Sequence, residues 1–116
     1  LMNIRELKKL IEKTLDQNKA KDIIAINLKG KSSIADYMII ASGNSSRHIQ
    51  SLSEMLLRKL QEEGVNQCKI EGKTSDEWKL IDAIDIIIHI FHPKKREFYA
   101  LEKMWSEPLS KKRINI

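Results

Sequence analysis

Several short runs hold residue types that could do chemistry. Lys29-Gly30-Lys31-Ser32 ends like a phosphate-binding loop, in which backbone amides cradle the phosphates and the lysine reaches the outer oxygens. The first glycine of that motif is replaced by Ala25, and the run leads into another strand pattern instead of a helix whose N-terminus would hold the anion. A plain turn is the better reading. Asp82 and Asp85 bracket Ala83-Ile84 where two strands must be joined, so their carboxylates are expected to accept backbone amide bonds at a tight turn. His89 and His92 stand three apart, which on a strand sends them to opposite faces and disfavours joint metal binding. Within its Ile and Phe surroundings, His89 reads as a satisfied core or interface histidine. His48 is either surface polar or part of a partner contact, and spacing alone does not decide. Cys68 is a lone cysteine, read as a small buried hydrophobe; it can form neither an internal disulfide nor a multi-thiolate site, which agrees with a reducing compartment.

Gly43, after a strand pattern and before a helical one, stands where nucleotidyltransferases begin their sites. Those enzymes hold two metal ions ~3.5–4 Å apart with acids that converge from one strand face, a geometry given by two acids spaced by one residue. No Asp or Glu pair in this chain has that spacing, and Asn44-Ser45-Ser46-Arg47-His48 offers nothing for magnesium. No cofactor, no metal and no catalytic residue is expected. The residues read as those of a binding protein, not an enzyme.

These positions need elements to hold them. Asn3 and Glu6 have capping-box spacing, and Ile4, Leu7, Leu10, Ile11 and Leu15 recur at helical intervals, predicting a helix that ends near Asn18. Residues 22–28 and 34–41 are rich in β-branched and apolar types and read as strands, joined by a connection short enough to make the pair antiparallel. Ile49, Leu52, Leu56 and Leu60 form one stripe of a second helix, closed by Gly64. Strands are expected at 67–71, 78–81 and 86–91; the last is apolar throughout except for His89, a pattern of burial on both faces at the centre of the core. Pro93 is placed to open a third helix with Phe98, Leu101 and Trp105 on its inner face. The fold class is therefore α/β of the α+β kind, a mixed sheet of about five strands flanked by three helices.

The 116 residues, 41% hydrophobic and 32% charged, suit one globular domain. No apolar run approaches the ~20 residues of a membrane span, and the charged first residues do not resemble a secretion signal, so a cytoplasmic protein is expected. Leu1 ahead of Met2 reads as an addition to a natural start at Met2. Of the formal net charge of +5, Lys111, Lys112 and Arg113 supply three with no acid after Glu107, so the body is nearly balanced. A basic tail adds salt-sensitive attraction to RNA without specifying a site.

Trp78 follows a polar stretch and begins a short alternating strand, which puts its ring either in the core or near an exposed edge; tryptophan is among the types enriched at interface hot spots. From here the residues resemble a known family. Gly30-Lys31-Ser32-Ser33-Ile34-Ala35-Asp36-Tyr37-Met38-Ile39-Ile40 and Ser42-Gly43-Asn44-Ser45-Ser46-Arg47-His48 resemble the signature of the ribosomal silencing factors, the Iojap-like family. Glu71-Gly72, the run 78–82, the run 85–91 and the run 96–105 continue the resemblance in order. Together they cover residues 3–106, the expected domain, leaving 107–116 as a basic tail.

The resemblance implies a nucleotidyltransferase-like fold without the acidic site. It implies a factor that binds large-subunit ribosomal protein fourteen, blocks joining of the small subunit sterically and lowers translation, with a role in large-subunit maturation attributed to relatives. Carried onto this chain, the contact surface is Trp78, Leu80 and Asp82, with Arg47 and His48 as further participants. A tail contact to ribosomal RNA and a homodimer of the free protein stay open, as do the enzyme and general RNA-binding readings. One departure stands out: the family usually has glycine between its two turn aspartates, where this chain has Ile84. If that glycine serves a positive φ, a β-branched residue would be strained, so the turn is expected to adopt another geometry.

Overall fold

The computed structural model describes residues 2–73, 75 and 77–94. The third helix expected from Pro93 and the tail at 107–116 lie outside the described residues, apart from Pro93 and Lys94 themselves. The chain opens with α1 (Ile4–Gln17), whose capping box forms as its spacing predicts: the Asn3 side chain accepts from the Glu6 amide at 2.8 Å and the Glu6 carboxylate accepts from the Asn3 amide. Its buried stripe is Leu7, Ile11, Thr14 and Leu15.

A left-handed residue at Lys19 turns the chain into β1 (Lys21–Asn27), which pairs antiparallel with β2 (Tyr37–Ser42). Asp22 also has positive φ, and the ladder slips between Lys21 and Ile24 at that point. The second strand begins three residues later than its composition predicts. Ser32 Oγ accepts from the Ile34 amide, the Asp36 amide donates to the Asp85 carbonyl, and the Leu28 amide donates to the Asp36 carbonyl. Those bonds bind 32–36 to a turn and to the start of β5, so Ile34 stays outside the ladder with 50% of its surface exposed. The run from Lys29 to Ser32 is a turn with Gly30 at φ +76°, leading into a strand.

Ser45 caps α2 (Ser46–Glu62) by accepting from the His48 amide at 3.1 Å, and Gly64 at φ +85° ends it. A hairpin of β3 (Lys69–Glu71) and β4 (Trp78–Asp82) follows, then β5 (Ile86–Phe91). The sheet order is β1-β2-β5-β4-β3, with β2 and β5 parallel and every other pair antiparallel. Every residue of β5 is buried, in keeping with its apolar run.

Period-two alternation then sorts the side chains. Ile39 and Ala41 of β2, Ile81 of β4 and Ile86, Ile88 and Ile90 of β5 face α1 and α2 in the main core. Met38, Ile40, Leu80, Ile87 and Phe91 point away from those helices, and Trp78 packs against both groups they form there.

Candidate functional site

Strand β4 puts Trp78, Leu80 and Asp82 on the sheet face turned away from α1 and α2, because positions two apart share a face. Trp78 is half-buried. Its indole Nε1–H donates to Nδ1 of His89 at 3.2 Å, and its ring lies 6.3 Å from the His89 ring and 6.5 Å from Phe91, at interplanar angles of 29° and 27°. The His89 and Phe91 rings, two apart on β5, are themselves parallel within 2° at 5.5 Å. One side of the indole is thus taken up by the sheet, and its only donor is satisfied within the chain.

Three further residues fix this tryptophan. Ser75 Oγ accepts from the Trp78 amide at 3.1 Å. Gly72, at φ +77°, lies so close that a Cβ there would stand 2.6 Å from the Trp78 carbonyl oxygen. Lys79, on the opposite face of β4 and 3% exposed, sends its ammonium to the carbonyls of Gly72 and Lys73 and ties down the loop that precedes the tryptophan. Sequence reasoning missed Gly72 and Lys79 in these roles. The available signals were a lysine among apolar neighbours in a short strand and a glycine just before the polar run.

His89 corrects an expectation. It is a core histidine, but only half satisfied: Nδ1 accepts from the indole, while Nε2 is buried with no hydrogen-bond partner among the described residues. Burial pulls its pKa from the usual 6.5 to about 4, so the ring is neutral at neutral pH. Because Nδ1 accepts the indole N–H, the one ring proton is on Nε2.

Leu80 is 6% exposed and packs with Ala35 and Ile87. Asp82, half-buried at the far end of β4, accepts from the Ile84 amide at 2.9 Å, the turn role its position suggests. Cys68 lies near it, half-buried, its thiol pKa raised first by burial and then by the Asp82 charge. Between Asp82 and Asp85 the isoleucine does not avoid the left-handed region, contrary to expectation. Ile84 has φ +72°, and the Asp85 amide donates to the Ala83 carbonyl at 2.9 Å, which closes a three-residue turn centred on Ile84. The Asp82 carboxylate and the Ala83-to-Ile86 bond of the β4–β5 hairpin hold the isoleucine there, with its side chain 52% exposed.

Arg47 and His48 are not on the Trp78 face. Both begin α2, in the helix layer, near the end of the sheet where Ser42, Phe91 and Trp78 stand in one row. Arg47 is exposed. His48 is a staple: Nδ1 accepts from the Asn44 amide at 3.0 Å and Nε2 donates to the Asn18 carbonyl at 2.8 Å, joining the end of α1 to the start of α2. Gly43 has a packing role, since a Cβ there would meet Cγ1 of buried Ile49 at 2.7 Å. Among the described residues no group of three His, Cys, Asp or Glu is placed to hold a metal ion, and no helix is long and apolar enough to cross a membrane.

Residues 2–116 match the family model described as ribosomal silencing factor during starvation. Ribosomal silencing factor RsfS of Zymomonas mobilis is 48% identical over 99 residues, covering 85% of this chain and 74% of that protein. The mouse protein named mitochondrial assembly of ribosomal large subunit protein 1 is 36% identical over 95 residues, 79% of this chain and 42% of its own. A crystal structure of a Chromobacterium violaceum protein superposes with a TM-score of 0.87 at 34% identity, covering 99% of this chain and 92% of that one. With its signature blocks set on a five-stranded mixed sheet and matched along nearly the whole sequence, the chain belongs to the family of ribosomal silencing factors.

Proposed function

We propose that this protein acts by occupancy: it docks on the large ribosomal subunit through large-subunit ribosomal protein fourteen, keeps the small subunit from joining and so represses translation in the cytoplasm. The docking surface is the β4 face bearing Trp78 and Asp82, with Leu80 buried between them as its support and Arg47 at its margin. His48 contributes by setting the start of α2. The observation that carries this reading is the half-buried indole, braced by His89, Phe91 and Gly72 with its N–H already bonded. An anchor of that kind presents apolar surface without a donor to desolvate, and little side-chain freedom is left to lose on binding.

In this reading the sheet is a nucleotidyltransferase-like frame that works without an acidic site. Residues 3–106 form the docking domain, and 107–116 a basic tail able to add a salt-sensitive contact to ribosomal RNA. The name of the mouse relative supports a second role in large-subunit assembly, performed by the same surface.

The test is co-sedimentation with purified large subunits together with a subunit-joining assay. The wild-type protein should bind and suppress joining without nucleotide. Trp78→Ala should weaken binding by about 2 kcal/mol, roughly thirtyfold, while its thermal unfolding stays cooperative. Unchanged joining at saturating protein would defeat the reading, and a Trp78→Ala chain that binds as tightly as wild type would remove Trp78 from the surface.

A further inference from the structure

His89 is an unusual occupant of its position. It lies in the central strand between Ile88 and Ile90, buried on both sides, where an aliphatic or phenyl side chain would suit the surroundings better. The imidazole leaves Nε2 buried without a partner among the described residues, which lowers stability relative to an apolar side chain of the same shape. Its other nitrogen has one task in the fold, to accept the indole N–H of Trp78 at 3.2 Å. A residue that weakens the core while making one directed bond to a half-buried side chain is better explained by what that bond positions than by packing.

We propose that His89 is the positioning residue of the docking surface: its Nδ1 lone pair, with the stacked rings, fixes the orientation in which Trp78 meets its partner. The inference rests on the docking reading above. Burial keeps the ring neutral down to about 4, so Nδ1 is free to accept at any physiological pH in the tautomer the indole bond requires, with the proton on Nε2. Phe91 braces the imidazole from two residues along the same strand, so the acceptor is itself held in place. The indole is left with one orientation instead of several, and a partner need not order it on contact.

Two variants separate this role from packing. His89→Phe keeps a flat ring and removes the acceptor. His89→Asn loses the ring but carries its amide oxygen close to where Nδ1 stood. In nitrogen-15 spectra the Trp78 indole N–H, assigned by its loss in Trp78→Phe, should be protected from solvent exchange in wild type and in His89→Asn, and unprotected in His89→Phe. Affinity for large subunits should fall about tenfold in His89→Phe and stay within about threefold of wild type in His89→Asn. An indole as protected in His89→Phe as in wild type would overturn the proposal, as would one released without loss of affinity. If His89→Phe does not fold, the wild-type ring nitrogens decide: a His89 protonated on Nδ1 is incompatible with the role. The indole signal is read without ribosomes, so failure here is distinct from failure of docking, which Trp78→Ala reports.

Discussion

Gly72 stands against the backbone and ring of Trp78: a Cβ on Gly72 would lie 2.6 Å from the Trp78 carbonyl oxygen and 3.0 Å from Cε3 of the indole, and its φ is +77°. Both facts exclude a side chain, the first by collision with backbone that cannot rotate away, the second by left-handed strain. The Lys79 ammonium holds the Gly72 carbonyl from the other side, so the loop has little freedom to retreat.

Replacing Gly72 by alanine should therefore destabilise the fold by about 2 kcal/mol or more, lowering the melting temperature by roughly 10 °C. Because the collision is with Trp78 itself, indole fluorescence should change in the native state, and large-subunit binding should weaken even where the variant is fully folded. A Gly72→Ala protein that melts with wild type would mean that the close approach is not present in solution.

Ile84 supports a prediction of opposite sign. A β-branched residue at φ +72° costs about 1–2 kcal/mol against its preferred conformations. Its side chain is 52% exposed, so shortening it gives up little burial. Ile84→Gly should raise stability slightly, by about 0.5 kcal/mol, since relief of strain exceeds the ~0.5–1 kcal/mol that glycine's extra unfolded-state freedom costs. Urea titration of the two proteins measures this directly, and a destabilised Ile84→Gly would show that the isoleucine is held by contacts stronger than its strain.

The two sites differ in how far the sequence discloses them. The helix stripes, the capping box at Asn3 and the buried run of β5 depend on neighbours a few residues away, and periodicity finds them. The late start of β2 depends on an amide bond from Asp36 to Asp85, 49 positions along the chain, and composition alone extends the strand to Ile34. At the candidate site, Trp78, Leu80 and Asp82 share a face simply because a strand has period two. That His89 braces the tryptophan follows from the β4–β5 register, with Trp78 opposite Phe91 and Leu80 opposite His89, while Gly72 and Lys79 act through the connection between β3 and β4. Ile84 misleads for a related reason, since local preference argues against a left-handed isoleucine and the β4–β5 hairpin overrides it.

His89 also gives stability a pH dependence whose sign is fixed. In the folded chain burial holds the ring neutral until about pH 4, while in the unfolded chain it protonates near its usual 6.5. Between those values the unfolded state binds the extra proton, so stability falls as pH drops from 6.5 toward 4 and recovers as pH rises. The whole interval corresponds to about 3 kcal/mol, and going from pH 7 to pH 5 should cost about 2 kcal/mol. Carboxylates titrate in the same range, so the measurement is a difference: urea unfolding of wild type and of His89→Phe at both pH values. The wild-type protein should lose about 2 kcal/mol more than the variant over that step. Equal losses would place the imidazole in contact with water, and with it the bond that aligns Trp78.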